Sequence, residues 1–199
     1  MPLVMSDGER AAFERLAARK IEEASTAHIE ELSTLFDGSA QENVLRVGNT
    51  WTRLHYGGDF GLVAPQAERA NLSLVFVQSS DRNTAAADPG ALGAGATDRH
   101  LIYEGLSRVA ADAVLAGAGS VHEDAFFSVW HPQLVSLRES LGLPRHPAQI
   151  VVSRRGRLDF TARLFNVPEV RVFLIGGEEC IAAHAAALSA RPWIRHVRL

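Results

Sequence analysis

Apolar residues first recur at helical spacing. Phe13, Leu16, Ile21, Ala24, Ile29, Leu32 and Phe36 line one face of a run from residue 6 to residue 36. Ser6 followed by Glu9 is a capping-box pattern, which satisfies the orphan amides at a helix start. Ser25-Thr26 offers a break within the run, and Asp37-Gly38-Ser39 closes it. Such a stripe is what a helix needs to pack one face on a core. Residues 37–70 lose the regularity: Gly48-Asn49, Gly57-Gly58-Asp59 and Pro65 punctuate them. Trp51, Leu54, Tyr56 and Phe60 can dock this stretch on a neighbouring core. Residues 1–70 therefore read as a helical amino-terminal extension.

From residue 71 the period changes. Leu72 to Val77 is a β-rich run ending in a polar turn, Gln78 to Asn83. The Ala/Gly stretch 85–96 reads as a loop, after which Thr97 or Asp98 can cap a helix carrying Leu101, Ile102, Leu106 and Val109. Ala113-Val114-Leu115-Ala116 reads as a buried strand running into Gly117-Ala118-Gly119-Ser120. Gln133 to Leu141 is a helix closed by Gly142 and Pro144. Gln149 to Ser153 is a strand, and Arg154-Arg155-Gly156-Arg157 turns the chain. Val170 to Ile175 is a strand, Glu178 to Ser189 a helix, and Ile194 to Leu199 a further strand. Strands alternating with helices predict an α/β domain over 71–199, with a mostly parallel sheet and right-handed crossovers.

Composition removes several function classes. The 199 residues are 47 % hydrophobic and 22 % charged, an ordinary globular balance for one domain with an extension. A net charge of −3 provides no general attraction to nucleic acid or anionic lipid. No apolar run approaches the roughly 18–20 residues that span a bilayer. The start, Met1 to Glu9, lacks a basic segment before an apolar one, so no secretory signal is visible. The expectation is a soluble cytoplasmic protein acting on a small molecule, with neither nucleic acid nor membrane as partner. Cys180 is the one cysteine, which excludes an internal disulfide or a cysteine-rich zinc site. Lys20 is the one lysine, so any bound anion must be held by arginine, backbone amides or hydroxyls.

In open α/β sheets ligands sit beyond the carboxyl ends of the strands. Three such ends carry suitable residues: Gln78-Ser79-Ser80-Asp81, Gly117-Ala118-Gly119-Ser120 and Ser153-Arg154-Arg155. Glycine after a strand lets backbone amides approach a phosphate, Ser120 supplies a hydroxyl, and Arg108 or Arg154 the counter-charge. A tight turn alone would also explain Gly117 and Gly119. Sharper motifs fail. His122 stands where a dinucleotide fingerprint wants its third glycine, and no nucleophile elbow or P-loop occurs. His122-Glu123-Asp124 and His131 lack metal-ligand spacing and read as surface or hydrogen-bonded residues. Glu178 and Glu179 after Gly176-Gly177 favour a helix start and would repel phosphate, so no cofactor role is assigned there.

The run Arg108-Val109-Ala110-Ala111-Asp112-Ala113-Val114-Leu115-Ala116-Gly117-Ala118-Gly119-Ser120-Val121-His122-Glu123-Asp124 resembles the reductase domain of bacterial riboflavin biosynthesis. An arginine, an aspartate, a strand, a glycine turn, a hydroxyl and a second aspartate keep that family's spacing. Val75 to Asp81 and Ile150 to Asp159 resemble the strands before and after it. The resemblance implies a dihydrofolate-reductase-like fold, NADPH as cofactor and a homodimer. It further implies reduction of the ribose of a phosphoribosylamino-pyrimidine to a ribityl chain. Carried over, Gly117, Gly119, Ser120, Asp124, Ser153 and Arg154 would line the NADPH site; Ser80, Asp81 and Arg108 would contact substrate. No residue is marked as a general acid. Arg82 replaces a family glycine, Ser120 a threonine, and the stretch around Gly93 to Ala96 a tryptophan-bearing signature. The family's glycine-rich strand end would lie past Leu199, so the domain reads as incomplete at its carboxyl end. A non-catalytic or truncated member, binding a nucleotide or serving as a partner subunit, is the alternative. The same enzyme class with a different acceptor, dihydrofolate or an unrelated carbonyl compound, is a third.

Overall fold

A computed structural model describes residues 5–33, 44–64, 67–75, 95–154, 156 and 158–199. Helix α1 (Asp7–Thr26) begins as its capping box predicts. The Ser6 hydroxyl accepts the Glu9 amide at 3.3 Å, and the Glu9 carboxylate accepts the Ser6 amide at 3.1 Å. The helix ends at Thr26 and not near Phe36. Ser25 and Thr26 hydroxyls donate back to the carbonyls of Ile21 (2.6 Å) and Glu22 (2.8 Å), the local bonding through which such residues compete with helix continuation. Residues 27–33 have no regular structure; Phe36 and the Asp37-Gly38-Ser39 stop lie outside the described residues.

The chain divides into two compact units, each assembled from separate stretches, where the sequence suggests one junction at residue 70. The first unit comprises Met1–Lys20, Ala111–Ser128 and Leu143–Leu199; the second comprises Ile21–Ala110 and Val129–Gly142.

The first unit holds a four-stranded, wholly parallel sheet in the order β3 (Ala113–Gly117), β4 (Ala148–Ser153), β5 (Val172–Gly176), β6 (Ile194–Arg198). Every strand that the sequence predicts after residue 110 is present. Side chains alternate between faces, so Gln149, Val151 and Ser153 of β4 share a buried row with Val172, Leu174 and Gly176 of β5. Gln149 is a polar residue in that row with no exposure. Its amide donates to the carbonyls of Phe127 (2.9 Å) and Pro147 (2.8 Å) and accepts the Phe127 amide (2.9 Å), so burial leaves no polar atom unmet. The helix expected over 178–189 is two short ones, α5 (Glu178–Ala183) and α6 (Ala185–Ser189). The chain leaves helical geometry at His184, whose ring nitrogen bonds the Gly156 carbonyl.

The second unit contains an antiparallel pair, β1 (Val44–Val47) and β2 (Phe60–Val63), linked through helix α2 (Thr50–Tyr56). Asn49 and Thr52 form a reciprocal capping box at its start, and Gly57, at φ 69°, closes it in the left-handed conformation. Residues 1–70 are thus not purely helical. Val47, Phe60, Val109, Val129, Leu134 and Leu137 form this unit's core. The last two belong to α4 (Pro132–Ser140), which Gly142 follows at φ 71°. One expectation fails here. Residues 71–75 form no strand: Leu72 and Leu74 are 89 % and 82 % exposed, and a β-prone run without a partner ladder gains nothing from its propensity. Of the cap candidates Thr97 and Asp98, Thr97 stands at the start of the helical stretch but makes no side-chain cap bond; its hydroxyl accepts the Glu30 amide at 3.0 Å. The chain passes through α3 (Gly95–Thr97) into a π-helical stretch, Asp98–Leu106.

Candidate functional site

Parallel strands put their carboxyl ends on one side of the sheet. Gly117 is in register with Val152, and Ser153 with Gly176, so the tips of β3, β4 and β5 end together. The structure therefore brings Gly117, Gly119 and Ser120 to the same end of the first unit as Ser153, Arg154 and Gly176-Gly177. After β3 the chain makes a single 3-10 turn over Ala118–Ser120, closed by the Val121 amide on the Ala118 carbonyl at 3.1 Å. Gly117, Gly119, Ser120 and Arg154 are exposed.

The glycines at this end fall into two kinds. Gly156 has φ 67°, and a Cβ there would lie 3.1 Å from the Cys180 backbone. A Cβ on Gly176 would lie 3.0 Å from both Cys180 Sγ and the Ser153 carbonyl. The fold itself requires glycine at these two positions. Gly117 has an ordinary extended backbone at φ −73° and ψ 155°, and Gly119 has no positive φ. A Cβ on either meets nothing within 4 Å. Neither backbone strain nor packing within the described residues asks for glycine there.

Ser153 is buried, and its hydroxyl accepts the Gly156 amide at 3.2 Å, pinning the turn after β4. The Asp124 carboxylate is taken by Arg19 of α1 at 2.7 Å and by Arg163 at 3.8 Å. The hydrogen bond from Arg19 holds its carboxyl below the usual range, with Arg163 and His122 adding to the effect and burial opposing it. Asp124 thus fastens α1 within the first unit. Arg108 belongs to the second unit, where it is buried, with its guanidinium 4.1 Å from the centre of the Tyr103 ring. Ser80 and Asp81 lie outside the described residues. Among the described residues no three His, Cys, Asp or Glu side chains are grouped to hold a metal ion.

Sequence reasoning passed over Gly176-Gly177 because of the acids that follow. Glu178 is drawn toward Arg198, 3.6 Å away, and a Cβ on Gly177 would meet nothing within 4 Å. It read His131 as a surface or hydrogen-bonded residue, and the second holds. The residue is 9 % exposed and its Nδ1 accepts the Gln133 amide at 3.3 Å, making it the amino-terminal cap of α4. Pro132, at the first helical position, was the available signal. No helix of the described residues is long and apolar enough to cross a membrane. Comparison with family models, curated proteins and solved structures gives no match to this chain.

Proposed function

We propose that the chain is an NADPH-dependent reductase of the riboflavin-pathway pyrimidine-reductase type, delivering hydride to a sugar or carbonyl acceptor. The observation that supports this is the pair Gly117 and Gly119, two glycines at a parallel strand's carboxyl end that nothing among the described residues requires. A bare backbone at that position leaves room for a pyrophosphate to approach main-chain amides. Ser120 would donate its hydroxyl to a phosphate oxygen and Arg154 would supply the positive charge, in a chain nearly without lysine. Ser153 holds the β4 turn so that Arg154 stays at this sheet end. NADPH supplies hydride when bound; the chain's part is to hold the dinucleotide and align its acceptor. The four parallel strands agree with this class, and the dihydrofolate-reductase-like arrangement and homodimer belong to the same proposal. Asp124, engaged by two arginines, is assigned to structure and not to the cofactor.

Titration with NADPH and with NADH, followed by thermal melting and tryptophan fluorescence, tests the reading. NADPH should raise Tm more than NADH, because only binding to the folded state shifts the melt. Gly119→Val and Ser120→Ala should weaken the response while leaving the cofactor-free melt in place. No response to either nucleotide, or full NADPH binding by Gly119→Val, would overturn it.

A further inference from the structure

The second unit contains a histidine cluster that the reductase proposal does not use. His55 lies on α2, His100 on the π-helical stretch, and His131 before α4. Trp51, also on α2, stacks on the His131 ring with centroids 4.1 Å apart and planes 26° apart. The same indole tilts against His55 at 4.4 Å. His100 and His131 are both more than nine-tenths buried. The acid in the cluster is Glu104, buried beside His100 with Oε2 3.7 Å from its Nδ1. That oxygen also accepts the Trp130 amide at 3.2 Å, one residue before the cap. Nδ1 atoms of His55 and His100 are buried without a hydrogen-bond partner among the described residues. Tyr56 of α2 turns its hydroxyl to the Leu101 carbonyl.

The cap works in one protonation state only. Nδ1 of His131 accepts the Gln133 amide, which requires a lone pair on that nitrogen. A proton there removes the acceptor and puts a positive charge against the positive end of the α4 dipole. It also places that charge in a buried site beside two more histidines. The Trp51 face would favour an imidazolium, but that attraction is smaller than the desolvation and cap losses together.

We infer that His131 is an acid-sensitive latch: neutral, it caps α4 and stacks on Trp51; protonated, it lets go of both. Leu134 and Leu137, on the first turns of α4, belong to the unit's core, so release of the cap loosens that core. Burial, reinforced by the charges of His100 and His55, pushes the His131 pKa down to about 4. A histidine with a folded-state pKa below its unfolded value leaves stability intact above the unfolded value and removes it as pH falls toward the folded one. The window therefore runs from about 6.5 down to about 4.

The test is a comparison of wild type and His131→Asn, since asparagine caps a helix well without titrating. Melting between pH 7 and pH 4.5 should lower the wild-type Tm by several degrees, and His131→Asn should lose most of that decrease while matching wild type at pH 7. Direct titration of the wild-type imidazoles by NMR should show one ring neutral, with its proton on Nε2, well below pH 6.5. That ring's signals should vanish in His131→Asn. A His131 ring that titrates at an ordinary value, or a variant that keeps the full wild-type pH slope, would overturn the latch.

Discussion

Gly176 and Cys180 are packed one against the other: a Cβ on the glycine would sit 3.0 Å from the cysteine sulfur, with the Ser153 carbonyl equally close on another side. Backbone on one side and a buried side chain on the other leave nothing free to move aside. Gly176→Ala should therefore destabilise the first unit by roughly 1–3 kcal/mol through overpacking. Gly177→Ala, whose Cβ would enter open space, should change stability little. Denaturant melts of the two variants check the contrast, and equal effects would contradict the packing.

Gly117 and Gly119 should behave in the opposite way. At an ordinary φ with open space around the Cβ, alanine restricts the unfolded chain and clashes with nothing. Gly117→Ala should leave stability unchanged or raise it by about 0.4–1 kcal/mol. Its effect on NADPH binding, measured by titration, should be a loss. Stability and binding moving in opposite directions would separate a ligand-facing glycine from a structural one.

Gln149, a side chain with no exposure, joins β4 to Phe127 by two side-chain hydrogen bonds and makes a third to the Pro147 carbonyl. Gln149→Leu has a similar volume but removes all three bonds, two from the part-buried Phe127 backbone and one from the Pro147 carbonyl. A loss of about 2–4 kcal/mol is expected, from desolvated groups more than from the bonds themselves. Equilibrium unfolding measures it, and a loss below about 1 kcal/mol would show that the loop finds other partners.

Arg19 and Asp124 are half-exposed, so their pairing should be modest at neutral pH, about 0.2–1 kcal/mol in a double-mutant cycle. The sign of its pH dependence is set by the lowered Asp124 carboxyl. A group with a depressed folded-state pKa stabilises above its unfolded value and loses that contribution as pH falls through the folded one. Asp124→Asn should therefore flatten the acid side of the stability profile below about pH 4. This range lies under the window for His131, so melts of the two variants across pH distinguish the two groups.

The parallel sheet was legible in the sequence because β3, β4 and β5 are short apolar runs bounded by glycine or polar turns. Their register then brought Gly117 to Ser120 and Ser153-Arg154 to one end without further information. Leu72 to Val75 shows the limit of the same reasoning: β propensity reports what a segment would do beside a partner, and the described residues 71–75 join no ladder. The end of α1 was half legible, since Ser25-Thr26 marks a stop only when the hydroxyls turn back to the helix carbonyls.

Local chemistry thus determined the elements and their caps: Ser6 with Glu9, Asn49 with Thr52, and Gly142 past the end of α4 each act within a few residues of chain. Tertiary structure decided what depends on partners distant in sequence. It gave Asp124 to Arg19 and Arg163, and the turn at Gly156 to Cys180 and His184. It also surrounded His131 with Trp51, His55 and His100. Hydrogen-bond caps and hydrophobic periods are short-range and so are written in neighbouring residues. Burial, ion pairing and the protonation of an imidazole depend on which surfaces meet, and only the folded chain supplies those.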